Sequence, residues 1–181
     1  MPGNSVDIDS LWQMHSTRIA VFSLGSNLGD RLEYLTGAAK ALRATPGLKV
    51  TGISGVYETA PVGLLDQPEF LNVVLAAEST LASMVMLERA LAIEDAFDRV
   101  RATRWGPRTV DVDLIAVEDR QLETPELTLP HPRAHERAFV LVPWLEVDPD
   151  ADLVGHGKVA ELVAAMDTSG VRRRNDLSVD W

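Results

Sequence analysis

A chain of 181 residues has room for one domain, and its 46% apolar and 24% charged composition supports a packed core and excludes wholesale disorder. Cysteine is absent, which excludes a disulfide scaffold, a thiolate metal site and a cysteine nucleophile. Lys and Arg number 17 against 27 Asp and Glu, and the net charge of −10 opposes nonspecific nucleic-acid binding, which depends on neutralising phosphates.

Residues 1–16 show no clear period and no basic or apolar run of the signal-peptide kind, so they are read as a tail before a single domain at 17–181. Arg18 to Leu24 reads as a buried strand closed by a turn at Gly25–Gly29. Asp30 is placed to cap a helix carrying Leu32, Leu35, Ala39 and Leu42, and Pro46-Gly47 stops it. Lys49 to Thr59 is a second strand, Ala60 to Pro68 a loop, and Phe70 to Ala77 a third strand. Ser79 or Thr80 caps a second helix with Met84, Leu87, Leu91 and Glu94 down one face. Val110 to Val117 is a fourth strand. Prolines 125, 130, 132, 143 and 149 make the remainder irregular, with helices expected near Ala134–Leu145 and Val159–Met166. The order β-α-β-β-α-β predicts an α+β, ferredoxin-like antiparallel sheet with helices packed on it and C-terminal additions. No apolar stretch reaches the roughly 18 residues of a membrane helix. With neither cysteine nor a signal-peptide pattern, a cytoplasmic protein is expected.

The strongest local signal is Arg104-Trp-Gly-Pro-Arg-Thr-Val-Asp-Val-Asp113. On a strand, Asp111 and Asp113 share a face, continued by Ile115 and Val117, with Cα atoms about 6.5–7 Å apart. Carboxylates so placed can converge on hard cations, or can be the solvated acids of an edge strand. Just upstream lie Arg99, Arg101, Arg104 and Arg108 with no acid among them. Guanidinium forks suit phosphate oxygens, so acids and arginines together describe a polyphosphate site. Glu94 either contacts a ligand or pairs with Arg99. Phe70 and Asn72 share a strand face, which suits a flat heterocycle or, equally, an ordinary core ring and a capping amide. His131 and His135 are four apart but lack the surroundings of a zinc helix, and His131 reads as a ligand-side donor or a satisfied histidine.

Taken in order, Leu24-Gly-Ser-Asn-Leu28, Tyr57-Glu-Thr-Ala-Pro-Val-Gly63, Asp66-Gln-Pro-Glu-Phe-Leu-Asn72, Arg104 to Asp113, and Leu129-Pro-His-Pro-Arg133 with Arg137-Ala-Phe-Val-Leu141 carry a resemblance. The chain resembles the 6-hydroxymethyl-7,8-dihydropterin pyrophosphokinase family from about Ile19 to Pro149. The resemblance implies a ferredoxin-like enzyme of folate biosynthesis that moves pyrophosphate from ATP to the pterin hydroxymethyl group and releases AMP. It makes Asp111 and Asp113 ligands of two Mg²⁺ ions, and Arg99 and Arg108 catalytic residues of a mobile loop. It assigns the pterin to Thr59, Ala60, Val62, Phe70, Asn72, Trp105 and Phe139. It assigns ATP to Glu94, Arg101, Arg104, Arg108, Leu114, Thr128, His131 and Arg137. Small-molecule partners and a monomer are expected, with neither nucleic acid nor membrane. Phe70 stands where some members have Tyr, and Asp98 where Gly is frequent. Residues 1–16 and the stretch after Asp150 are not covered by the resemblance. Two rival classes remain at this point: a metal-dependent nuclease or nucleotidyl transferase using the same acids, and a non-catalytic ferredoxin-like sensor.

Overall fold

Alternation along β1 (Arg18–Ser26) decides which way the central sheet faces. Ala20, Phe22 and Leu24 are fully buried on one face, while Val21, Ser23 and Gly25 point to the other. The computed structural model describes residues 16–61, 66–97 and 109–181. Asp30 caps α1 (Arg31–Arg43), its carboxylate accepting from the Glu33 N–H at 3.1 Å. Leu35, Ala38, Ala39 and Leu42 of this helix are buried against the first face. The chain then reverses at Gly47, whose φ of +86° is one that side chains avoid.

The second strand expected at Lys49–Thr59 is divided into β2 (Leu48–Ile53) and β3 (Val56–Thr59). At the break, Ser54 bonds Val74 twice, through its N–H at 2.8 Å and its hydroxyl oxygen at 2.9 Å. Both pieces lie antiparallel along β4 (Phe70–Ser79), β2 on one half and β3 on the other. α2 (Ser83–Phe97) leads towards β5 (Asp111–Val117), which pairs antiparallel with β1. Counting β2 and β3 as one broken strand gives the expected ferredoxin-like order.

Three local expectations need correction. The helix expected to start at Ser79 or Thr80 begins at Ser83; the Ser79 hydroxyl instead accepts from the Leu81 N–H at 3.1 Å. Its buried stripe is Met86, Ala90 and Ile93, and Leu91 is 47% exposed. The Leu87–Leu91–Glu94 line flanks the core because its neighbours one position away fill the contact with the sheet. Finally, a bulge in β5 opposite Val21 and Phe22 inserts one residue, so Ile115 stays on the second face and Val117 turns to the first.

The chain after Val117 covers part of the second face. Short strands β6 (Leu122–Glu123) and β7 (Thr128–Leu129) pair with each other. A 3₁₀ turn at Ala134–Glu136 leads into α3 (Ala138–Val147), which holds Pro143 inside it. Hairpin β8 (Asp152–Leu153) and β9 (Gly157–Lys158) precedes α4 (Val159–Ala165). Val140, Leu141, Trp144, Leu153 and Val159 pack on Val21, Val74 and Ile115, forming a second apolar core. β10 (Val171–Arg174) then adds to the free edge of β3, giving the sheet order β10-β3-β4-β1-β5. Glu146 of α3 fixes this edge. It accepts from the Tyr57 hydroxyl at 2.5 Å, the Gly55 N–H at 3.0 Å and Arg173 at 2.8 Å. Burial, then the Glu146 carboxylate, pushes the Tyr57 phenol up to about 12.

Leu141 is fully buried in the second core. Leu141→Ala is expected to lower stability by about 2–5 kcal/mol. Urea denaturation should show one cooperative transition at a lower midpoint; a separate early transition would mean that the second core folds on its own.

Candidate active site

Two cavities open beside the uncovered half of the second sheet face. The first, about 350 Å³, is floored by Ser23 and Gly25 of β1 and by Asn72 of β4. Asp111 and Asp113 of β5 form one wall, since they pair in register with Gly25 and Ser23. Thr59, Ala60 and Phe70 form the opposite side, and His131, Arg137 and Phe139 complete it from the segment before and at the start of α3. The second cavity, about 320 Å³, lies between α2 and β5. Leu87, Leu91, Glu94, Leu114 and Thr128 line it. Asp113 and His131 line both cavities, so the two meet there.

The polar groups are held in place. Asn72 is 3% exposed, and its Nδ2 donates to the Thr59 Oγ1 at 2.8 Å. Gly25 belongs to β1 rather than to the turn expected there. A Cβ at Gly25 would lie 3.0 Å from the Asn72 Oδ1 and 3.6 Å from the Phe70 ring. The missing side chain therefore makes room for the carboxamide and the ring together. Glu94 accepts from the Val112 N–H at 2.7 Å and so ties α2 to the strand between the two aspartates. Its neighbour Arg99, the alternative partner, lies outside the described residues.

His131 is fixed at both ends. Its N–H donates to the carbonyl of the bulge residue Ile115 at 2.7 Å. Its Nδ1 accepts from the Arg133 N–H at 3.1 Å, which leaves the proton of the neutral ring on Nε2. Burial, and then the positive charges of Arg137 and Arg133, push the imidazole down to about 4. The Arg137 guanidinium carbon lies 5.6 Å from the centre of the Phe139 ring, within cation–π range.

Of the residues singled out from sequence, Thr59, Ala60, Phe70, Asn72, Phe139, Asp111, Asp113, His131 and Arg137 line the first cavity. Glu94, Leu114 and Thr128 line the second, again with Asp113 and His131. Val62, Asp98, Arg99, Arg101, Arg104, Trp105 and Arg108 lie outside the described residues, as do residues 1–15. Ser23 and Gly25 were missed as site residues. Their signal was available: two small residues on the β1 face that also carries Val21. His135 does not join His131; its ring stacks on His156 with centroids 4.1 Å apart.

The family model for 7,8-dihydro-6-hydroxymethylpterin-pyrophosphokinase matches residues 21–149. This chain belongs to that family. The 2-amino-4-hydroxy-6-hydroxymethyldihydropteridine pyrophosphokinase of Methylorubrum extorquens is 46% identical over 154 residues, covering 85% of this chain and 97% of that protein. The enzyme of the same name from Mycobacterium leprae is 46% identical over 177 residues, covering 88% and 90%. A solved HPPK-DHPS structure from Plasmodium falciparum, with pterin and p-hydrobenzoate, superposes with a TM-score of 0.62 at 16% identity. That match covers 83% of this chain and 44% of the other, so the chain spans less than half of that longer protein and shares its fold. The family makes the chain a pyrophosphokinase, an ATP-dependent transferase. Among the described residues no helix is long and apolar enough to cross a membrane.

A lowered histidine pKa has a sign. The unfolded ring binds a proton near pH 6.5, the folded ring only near 4, so stability rises with pH across that window and is lost as pH falls through it. Proton NMR should show His131 neutral from pH 8 down to about 5. A His131 midpoint between 6 and 7 would overturn this placement.

Proposed function

We propose that this chain transfers the β,γ-pyrophosphate of ATP to the hydroxymethyl oxygen of 6-hydroxymethyl-7,8-dihydropterin, giving the pterin diphosphate and AMP in folate biosynthesis. Residues 17–181 act as one catalytic domain, as a cytoplasmic monomer, on small molecules alone. The observation that carries this reading is the first cavity. One carboxamide, two aromatic rings and two aspartates meet there, and the cavity joins a second, partly apolar one at Asp113 and His131.

The pterin ring is assigned to the space between Phe70 and Phe139, where aromatic faces favour a flat heterocycle. Asn72, with its Nδ2 engaged by Thr59, presents Oδ1 to a pterin N–H. ATP is assigned to the second cavity, its adenine beside Leu114 and Thr128 and its phosphates towards Asp113. Neutral His131 donates from Nε2 to a phosphate oxygen, and Arg137 adds charge from the far side. Arg99 and Arg108, which lie outside the described residues, are assigned the catalytic role, Arg101 and Arg104 the ATP, and Trp105 the pterin.

Asp111 and Asp113 supply only oxygen donors on one strand face. That set fits Mg²⁺, which takes one or two carboxylates and fills its remaining positions with water and substrate phosphates. The two ions bound there would neutralise charge on the triphosphate. The protein's share of the reaction is orientation and electrostatics. The hydroxymethyl oxygen attacks the β-phosphorus in line, the bond from that phosphorus to the α-phosphate oxygen breaks, and AMP leaves. A −10 chain without a long basic track disfavours the nuclease reading, and a sensor has no use for paired aspartates facing a cavity.

Phosphorus NMR of the protein with Mg²⁺, ATP and the pterin tests the reaction. AMP with a pterin diphosphate is expected; ADP would mean γ-phosphoryl transfer, and no turnover by folded protein would favour the sensor. Asp111→Asn should leave the fold intact and weaken MgATP binding at least about tenfold, read by calorimetry. Unchanged affinity would remove Asp111 from the metal site.

A further inference from the structure

Directly behind the first cavity, on the reverse face of β3, lies a charge cluster that the transfer reaction does not use. Glu58 is 7% exposed. Its Oε2 accepts from Arg31 at 2.9 Å, and its Oε1 from Arg172 at 3.0 Å and Arg174 at 3.1 Å. Arg31 opens α1, whereas Arg172 and Arg174 belong to β10, beyond the residues that the family model matches. Burial alone would raise the Glu58 carboxyl. Hydrogen bonding and charge from Arg31 and Arg174 outweigh it and hold the group below its ordinary range, so it is ionised at neutral pH.

The cluster does more than neutralise a buried acid. Arg31 Nη1 also donates to the Glu69 carbonyl at 2.8 Å. Arg172 Nη2 spans from Glu58 to the Glu69 carboxylate, at 2.9 Å from the latter. Glu58 immediately precedes Thr59, and Glu69 immediately precedes Phe70. Thr59 and Phe70 are themselves partners in the β3–β4 register. Two arginines thus pin both strands one residue before the point where each delivers a side chain to the cavity. Alternation sends Glu58 to one face and Thr59 to the other, so the pinning takes no space in the site. The ladder itself is short here, running only from Tyr57–Asn72 to Thr59–Phe70.

We propose that Glu58, with Arg31, Arg172 and Glu69, is a positioning set for the pterin. It holds Thr59 and Phe70 in register and, through Thr59, the Asn72 carboxamide, so the C-terminal strand β10 shapes substrate recognition without touching substrate. The inference rests on the pterin assignment above. A cluster serving stability alone would lower the melting temperature and leave the two substrates' KM values in their wild-type ratio.

Steady-state kinetics on wild type, Glu58→Gln and Arg172→Gln separate these outcomes. Glu58→Gln should raise the pterin KM about tenfold, with kcat and the ATP KM within about twofold, because displacement of binding groups acts on the substrate they orient. Arg172→Gln removes a bridge from a side chain that is 59% exposed, and should raise the pterin KM by about threefold. If Glu58→Gln does not fold, Arg172→Gln decides. An unchanged pterin KM, or equal rises for both substrates, overturns the positioning role while the pterin assignment stands. Failure of the wild type to use the pterin overturns both.

Discussion

The second face of the sheet is only half covered, and the site depends on that. At one end, Val21, Val74 and Ile115 are roofed by α3 and the hairpin that follows it. At the other end the same face carries Ser23, Gly25, Asn72, Asp111 and Asp113, and these line a cavity instead. On the opposite face Phe22, Leu24, Leu71, Leu75 and Leu114 share one apolar core with α1 and α2. Burial of apolar area on both faces stabilises a rigid floor. That floor carries the site's polar side chains, of which Ser23 and Asn72 are buried.

Fixed geometry matters because phosphoryl transfer asks a protein for position and charge more than for covalent chemistry. Several polar groups of the site are tied to the frame by hydrogen bonds. Asn72 is held by Thr59, His131 by the β5 bulge and the Arg133 backbone, and the strand between the aspartates by Glu94. The bulge has a double effect. It turns Val117 into the first core and presents the Ile115 carbonyl to the segment that carries His131 and Arg137.

The C-terminal stretch, irregular by its prolines, supplies the other half of the frame. α3 roofs the second core, Glu146 clamps Tyr57, Gly55 and Arg173, and β10 closes the β3 edge. Arginines at three successive positions of β10 face acids of β3, α3 and the turn beyond. The edge strand is therefore held by charge as well as by its ladder, and its basic side chains discourage a further strand from adding there.

What the residues determined alone was the order of elements and most of the side chains that line the first cavity. Period-2 alternation put Phe70 with Asn72 and Asp111 with Asp113, and five ordered motifs identified the family, because such signals are local in the chain. The bulge, the broken β2–β3 strand and the start of α2 were not legible, since each depends on which neighbour a backbone group finds. The same holds for Gly25, read as a turn residue until the Asn72 carboxamide and Phe70 ring were seen to need its missing side chain. Glu58 looked like one charge within a motif. Its partners lie up to 116 residues away, and only the tertiary structure brings them together. Sequence spacing reports which face a side chain takes; which side chains meet across that face is decided by packing, where area, charge and hydrogen bonds must be satisfied at once.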